Sequence, residues 1–333
     1  MSSSLERTLL RFSRMQGDWF KLKASLLRVN LAPCQAGWQT IQDPPPSLVY
    51  MRPHPPRLPG YNLGVRLGGG PTCDVYSAVE TRTSRPWAIK VLRDAAADDP
   101  SHVQMLGREA QIGLAVQHPN LVRIVRTGME HERPYHLIME RARGSSLREE
   151  LNRKKWLDAS QVGLIGLQVA EALEALHRVG FVHADVKPDN LHFEPGPWTT
   201  LLDLGFAHRP GDDQGLADTG FVFGTANYVA PELCDESDRD GLAADVFSLG
   251  VTLFELLTGA LPYPNGDVEE TMVLHRDARP DSLWKRPGRW PIGLAALVDS
   301  MMFREPERRP TAKAVAQELQ SMFARSATHR QAA

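Results

Sequence analysis

Eight consecutive residues, His183-Ala184-Asp185-Val186-Lys187-Pro188-Asp189-Asn190, constrain this chain more than any other stretch. They set a carboxylate, an ammonium and an amide at spacings of two and three residues, directly after the apolar, strand-like Gly180-Phe181-Val182. Such density is uncommon by chance. Asp185 suits the task of orienting a hydroxyl and taking its proton, Lys187 that of offsetting charge on a transferring phosphoryl group, and Asn190 that of holding a metal ion. Thirteen residues beyond Asn190, Leu201-Leu202-Asp203-Leu204-Gly205 presents another carboxylate after an apolar strand and before a glycine turn, a good geometry for a second metal contact. Two hard oxygen ligands suit magnesium.

The partners of this chemistry lie upstream. Leu67-Gly68-Gly69-Gly70-Pro71-Thr72-Cys73-Asp74-Val75 sits between two strand-like stretches, where missing side chains let backbone N–H groups approach phosphate oxygens. Glycine triplets are usually just turns. What adds weight is Lys90, 22 residues after Gly68 in the strand-like Trp87-Ala88-Ile89-Lys90, which places an ammonium beside such phosphates. A buried lysine needs a counter-charge, and Glu109, in the helical stretch Met105 to Val116, is the candidate.

Composition describes an ordinary soluble globular protein and removes other classes. The chain has 333 residues, 42% of them hydrophobic, with 38 Lys and Arg against 40 Asp and Glu, so disordered and collagen-like classes drop out and no nucleic-acid partner is expected. Cys34, Cys73 and Cys234 stand too far apart for a zinc site or a disulfide framework, which fits a reducing compartment. The longest apolar run, Val246 to Tyr263, contains Glu255 and follows Asp245 directly, so it reads as a buried helix and not a membrane span. No secretory leader pattern opens the chain, and a cytoplasmic location is expected.

The domain pattern is uneven. Among the first 57 residues eight basic side chains face three acidic ones. Leu5, Leu9, Phe12, Met15, Trp19, Leu22 and Leu26 recur at helical spacing, so residues 1–30 read as a basic amphipathic helix that docks on the body of the protein, on a partner or on a membrane surface. Residues 31–60 hold eight prolines and read as a linker. Residues 61–325 form the main domain and 326–333 a tail. Its first part, 61–139, has the texture of a small sheet, and 144–325 that of a larger helical lobe, with 140–143 between them.

From about Tyr61 to Phe323 these motifs, in this order, resemble the eukaryotic-type (Hanks-type) serine/threonine protein kinases, in particular their bacterial eukaryotic-like members. The resemblance implies an α+β, bilobal fold: an antiparallel-sheet N-lobe with one αC-type helix bearing Glu109, a hinge, and a mostly helical C-lobe. It implies ATP and Mg2+ between the lobes, lined by Gly68, Gly70, Val75, Ala88, Lys90, Glu109, the gatekeeper Met139, Glu140, Ala142 and His192. Asp185 and Lys187 would be catalytic, and Asn190 and Asp203 would hold metal. Ala230-Pro231-Glu232 would close an activation segment opened at Asp203, with Glu232 paired to Arg309 and Asp245 at the start of the buried helix. Lys187 and Gly224-Thr225-Ala226-Asn227-Tyr228 point to serine or threonine in protein substrates, and Asp189, Glu232, Asp235 and Glu236 hint at basic peptides.

Five positions depart from the family pattern. Cys73 replaces the third loop glycine, and Leu204 a phenylalanine. Gly113 falls where relatives carry an apolar side chain linking the lobes, a gap for Leu114 or Ile112 to fill or else a source of helix mobility. His192 lies where an apolar residue normally sits beneath adenine, and an imidazole there can still sandwich the base. Ala184 stands where regulated kinases place an arginine that receives a loop phosphate, and Thr219 is the only hydroxyl residue between Gly205 and Gly224. Activity without loop phosphorylation is therefore expected. The alternatives are a pseudokinase with little turnover and a scaffold acting through residues 1–60; small-molecule phosphotransferases typically lack the Ala-Pro-Glu segment and the Asp245 and Arg309 partners.

Overall fold

In the computed structural model, residues 55–130, 133–194, 198–211, 226–234, 241–264, 266–288 and 290–331 are described. The amphipathic segment 1–30, most of the proline-rich linker, Thr219, Asp235 and Glu236 lie outside them.

Alternating apolar residues and tight turns build a sheet within residues 61–139. Strands β1 (Tyr61–Gly69), β2 (Cys73–Glu80), β3 (Pro86–Leu92), β4 (Ile124–Thr127) and β5 (His136–Met139) pair antiparallel in the order β1-β2-β3-β5-β4. Register sets the chemistry: Lys90 on β3 stands opposite Val75 and Leu137, and Ala88 opposite Ser77 and Met139. One face buries Tyr76, Trp87, Ile89, Val91 and Ile138. The other buries Cys73, Leu92, Ile124 and Leu137 against Leu106 and Ala110 of helix α1 (Pro100–Ala115). That helix starts where Asp99 accepts the Ser101 N–H, with Pro100 in the first turn, a position that tolerates a missing donor.

The helical part follows. Strand β6 (Ser145–Ser146) leads into α2 (Leu147–Lys154), whose start carries a reciprocal Ser146–Glu149 capping box. Helix α3 (Ala159–His177) is capped by Asp158. Strands β7 (Leu191–Glu194) and β8 (Trp198–Leu201) form with β6 a second antiparallel sheet, β6-β7-β8, just beyond the catalytic-loop motif. Then come α4 (Gly241–Thr258), α5 (Val268–Asp277), α6 (Ile292–Met301) and α7 (Ala312–Gln331). Helix α7 continues to Gln331, so no element ends at residue 325.

Helix α4 is long and apolar enough by composition to cross a membrane, yet 83% of it is buried inside the protein, as expected for a core helix. It packs with α3 and α6 around Phe247, Leu253, Phe254, Leu173 and Val298 in one continuous apolar cluster. Burying a leucine or phenylalanine there contributes about 1.5–3 kcal/mol each, which makes this lobe the fixed base for the loops above it.

Gly113 is not a void. A Cβ added there would stand 2.4 Å from Ile124 Cδ1 and 3.0 Å from its Cβ. The space is filled from β4 by Ile124, not by Leu114, which is 39% exposed. Ile112 is buried but belongs to the helical-lobe core, so it does not fill that space either. The packing between α1 and the sheet is therefore preserved.

Candidate active site

The loop that follows Val182 anchors Val186 in the helical core, but its polar backbone must still find partners. Asp245, at the start of α4 and 1% exposed, supplies them: its Oδ2 accepts the His183 N–H at 2.8 Å and its Oδ1 the Ala184 N–H at 2.8 Å. His177 Nε2 lies 2.9 Å from the same carboxylate. Burial tends to raise the Asp245 pKa, but His177 and the donated N–H groups override it and hold the carboxyl below its ordinary range. These contacts fix Ala184 at a φ of 63°, a left-handed conformation that costs a non-glycine residue about 1 kcal/mol. His183 Nε2 lies 3.0 Å from the Leu202 carbonyl, and Leu202 donates its N–H to the Asn190 carbonyl at 2.8 Å. The catalytic-loop motif and the segment carrying Asp203, just past the end of β8, are thereby locked together.

Within that frame Asn190 Nδ2 donates to Asp185 Oδ2 at 2.6 Å and to the Asp185 carbonyl at 2.9 Å. Lys187 Nζ lies 2.9 Å from Asp185 Oδ1. Asp185 is buried, 3% exposed, so its carboxylate is aimed by two fixed neighbours.

The second half of the site is centred on Lys90. Its Nζ donates to Glu109 Oε2 at 2.8 Å and to Asp203 Oδ1 at 2.7 Å. Three elements separated by up to 113 residues in sequence thus meet at one ammonium. Burial opposes the charge on Lys90, but Asp203 and Glu109 outweigh it and keep the pKa above its ordinary value. Burial pushes Glu109 up to about 7 against the pull of Lys90. Burial also works to raise Asp203, yet the adjacent ammonium and the Gly205 N–H hold it at about 2. Asp203 adopts a φ of 61°, a second left-handed residue at the site.

The donor set fits a hard divalent cation. Asn190 gives its amide hydrogens to Asp185 and so keeps its oxygen for a ligand role. The hydrogen bonds and ion pairs of Asp203 all go to Oδ1, and its side chain is 39% exposed. Among the described residues no group of three or more His, Cys, Asp or Glu side chains is placed to hold an ion. A two-oxygen site completed by water and phosphate oxygens matches the coordination that magnesium favours.

The glycine turn is closed by Gly70 N–H donating to the Cys73 carbonyl at 3.0 Å. Gly69 has a φ of 156°, and a Cβ there would lie 2.6 Å from that carbonyl, so this position requires glycine. Gly68 and Gly70 have open space where a side chain would project, which leaves their backbone accessible. Cys73 itself is buried in the core facing α1, and burial raises its thiol pKa, which disfavours the reactive thiolate.

One feature was not foreseen from sequence: Asp74 is clamped between Arg66 Nε at 2.6 Å and Arg93 Nε and Nη2 at 2.9 Å each, while Arg93 also donates to the Pro71 carbonyl. This charge triad pins the turn to β3. Three charges scattered over 28 residues give no local pattern from which to read it.

Other expected residues fall as follows. Ala88 pairs with Met139 across β3 and β5, Val75 stands opposite Lys90 two positions along, and Met139 packs against both the sheet core and the helical core. The Glu140 carboxylate is committed to Arg85 at 3.1 Å and Arg123 at 3.2 Å, and its N–H donates to the Arg123 carbonyl, so any base contact there is left to the main chain of Glu140 and Ala142. His192 is half-buried on β7 between Ser146 and Thr200, its Nδ1 unpartnered, and burial lowers its pKa so that the ring is neutral near pH 7. Leu204 is fully buried, preserving apolar packing. Glu232 and Arg309 form a bidentate pair at 2.6 and 2.7 Å. Since Glu232 is taken by Arg309 and Asp189 by Arg148, neither is an unclaimed acidic group for a basic peptide.

Comparison with known proteins agrees with this arrangement. The model of the protein kinase domain matches residues 61–320, and the chain belongs to that family. A probable serine/threonine-protein kinase of Streptomyces coelicolor is 37% identical over 215 residues, covering 63% of this chain and 32% of the relative. The serine/threonine-protein kinase PknB of Mycobacterium leprae is 32% identical over 260 residues, covering 77% of this chain and 42% of PknB. PknD of Mycobacterium tuberculosis is 34% identical over 250 residues, covering 75% and 37%. The chain thus spans about a third to two fifths of the length of these relatives.

Proposed function

We propose that this chain transfers the γ-phosphate of ATP to serine or threonine hydroxyls of proteins. The observation that carries the reading is the single ammonium of Lys90 shared by Glu109 and Asp203, joined through Leu202 and Asn190 to the Asp185 carboxylate. The Gly68–Gly70 backbone and Lys90 bind the phosphates, and Glu109 keeps Lys90 in place. Asp185 orients the acceptor hydroxyl and takes its proton, while Lys187 offsets charge on the phosphoryl oxygens. Magnesium, held by Asn190 and Asp203, would neutralise phosphate charge and fix its orientation. Val75, Ala88, Met139 and His192 enclose the base, and a neutral imidazole supplies a flat face for it.

Turnover does not depend on activation-loop phosphorylation. Ala184 offers no cation to a phosphate, and the bend at this residue is held by Asp245 instead. No observation favours the pseudokinase alternative. Transfer of labelled γ-phosphate to the chain itself or to a generic protein, abolished in Asp185→Asn, tests the reading; labelling that is absent, or that persists in Asp185→Asn, rejects it.

A further inference from the structure

Beside the catalytic loop lies an ion cluster that phosphoryl transfer does not require. Arg148, in the first turn of α2, donates from Nη1 to Glu255 Oε1 at 2.7 Å and from Nη2 to Glu255 Oε2 at 3.3 Å. Nη2 also reaches Tyr228 Oη at 2.5 Å, and Nε reaches Asp189 Oδ2 at 3.3 Å. Tyr228 in turn donates to Glu255 Oε2 at 2.6 Å. One guanidinium therefore satisfies three acceptor side chains from three separate segments: the catalytic loop, the end of the activation segment and helix α4.

The cluster is graded in exposure. Glu255 is 7% exposed, whereas the Arg148 and Asp189 side chains are 30% and 47% exposed, so it opens to solvent on the Asp189 side. Asp189 immediately precedes Asn190, whose amide holds the Asp185 carboxylate. Asp189 lies only four residues after Asp185 on the same loop, and an extended peptide advances about 3.3–3.6 Å per residue, so on the kinase reading the opening faces residues that flank the acceptor hydroxyl. Without Arg148, two carboxylates and a phenol would surround a space matched to a planar cation with several donors.

We propose that Arg148 occupies, from within the chain, a guanidinium site bordering the peptide cleft, and that by filling it Arg148 withholds that site from arginine in substrates. Arg148 is then a specificity-determining residue of the kinase reading, on which this inference rests. A purely structural counter-charge for Glu255 would alter stability when removed but leave the choice of peptide unchanged.

The test compares the full chain with Arg148→Gln, which keeps a hydrogen-bonding amide beside Glu255 but no charge. Matched serine peptides carrying Arg or Ala at each of the three positions on either side of the serine are ranked by kcat/KM. Wild type is expected to favour Arg by less than about twofold, and Arg148→Gln by about tenfold or more at one position at least, the gain vanishing in Arg148→Gln/Glu255→Gln. Equal Arg-to-Ala ratios in wild type and Arg148→Gln overturn the proposal. A second measurement is independent of phosphoryl transfer: millimolar ethylguanidinium is expected to raise the melting temperature of Arg148→Ala, or of Arg148→Gln if the alanine variant does not fold, and to leave wild type unchanged. No difference between variant and wild type overturns the guanidinium site. If wild type shows no Asp185-dependent transfer, the kinase reading fails, and the ethylguanidinium result still decides the site.

Discussion

Lys90 and Arg309 are both buried cations bound by carboxylates, but they differ in what they leave open. Arg309 has all five donors engaged: Nε to the Phe303 carbonyl, Nη1 to Glu232 and the Ala243 carbonyl, Nη2 to Glu232 and the Arg304 carbonyl. Its side chain has no exposed surface. Lys90 instead divides its ammonium between a buried Glu109 and an Asp203 that is 39% exposed. A saturated cation is an anchor. One that borders solvent on one side can exchange a partner for a phosphate oxygen.

The largest test of this contrast is Arg309→Met. It leaves Glu232 buried without its cation and is expected to cost about 3–5 kcal/mol of stability in urea unfolding; a variant of wild-type stability with only activity lost would erase the distinction. Lys90→Met is expected to lower kcat/KM by about 100-fold or more while moving the urea midpoint far less than Arg309→Met does. If the two variants unfold equally easily, Lys90 is an anchor as well.

Gly113→Leu probes the helix that carries Glu109. The added side chain meets Ile124, and overpacking is expected to cost about 1–3 kcal/mol. Ile124→Ala in the same chain should restore part of that loss, and a double-mutant cycle with no coupling would show that the two positions do not share a space.

A smaller effect follows from pH. The Glu109 pKa is raised in the folded protein, so its contribution to stability is full below the ordinary glutamate range and is lost as pH rises toward about 7 and beyond. The depressed Asp203 works oppositely, its contribution being present above the ordinary aspartate range and lost as pH falls toward about 2. Of these two carboxylates only Glu109 changes between pH 5 and 8, and the buried histidines are common to both proteins, so wild type should lose stability relative to Glu109→Gln across that window. Parallel pH curves for the two proteins would contradict this. At the small end, Thr219→Ala should leave turnover unchanged; near-complete loss would show that the loop hydroxyl is needed after all.

What could be read in the sequence was chemistry compressed into short runs. Asp185, Lys187 and Asn190 lie within six residues, and Lys90 and Asp203 each follow an apolar strand pattern, so order and spacing reveal them. Contacts assembled by tertiary packing were not legible. The filling of Gly113 depends on Ile124 from a strand that pairs elsewhere, and the Arg66–Asp74–Arg93 clamp depends on the antiparallel register of β1, β2 and β3. Arg148 looks like any solvent-facing helix residue until α2 is brought against α4 and its guanidinium meets Glu255. Charge alone misled at Glu232 and Asp189, because a sequence does not reveal which carboxylates are already claimed.

Asp245 grips the main chain at residues 183 and 184, and no hydrogen bond that shapes the bend comes from the Ala184 side chain. Position 184 is therefore insulated from the architecture it occupies. On the proposed reading, a side chain that receives a phosphate could be placed at this position without altering the hydrogen bonds that bend the loop. Needing or not needing a loop phosphate would then turn on one side chain and not on a remodelled scaffold.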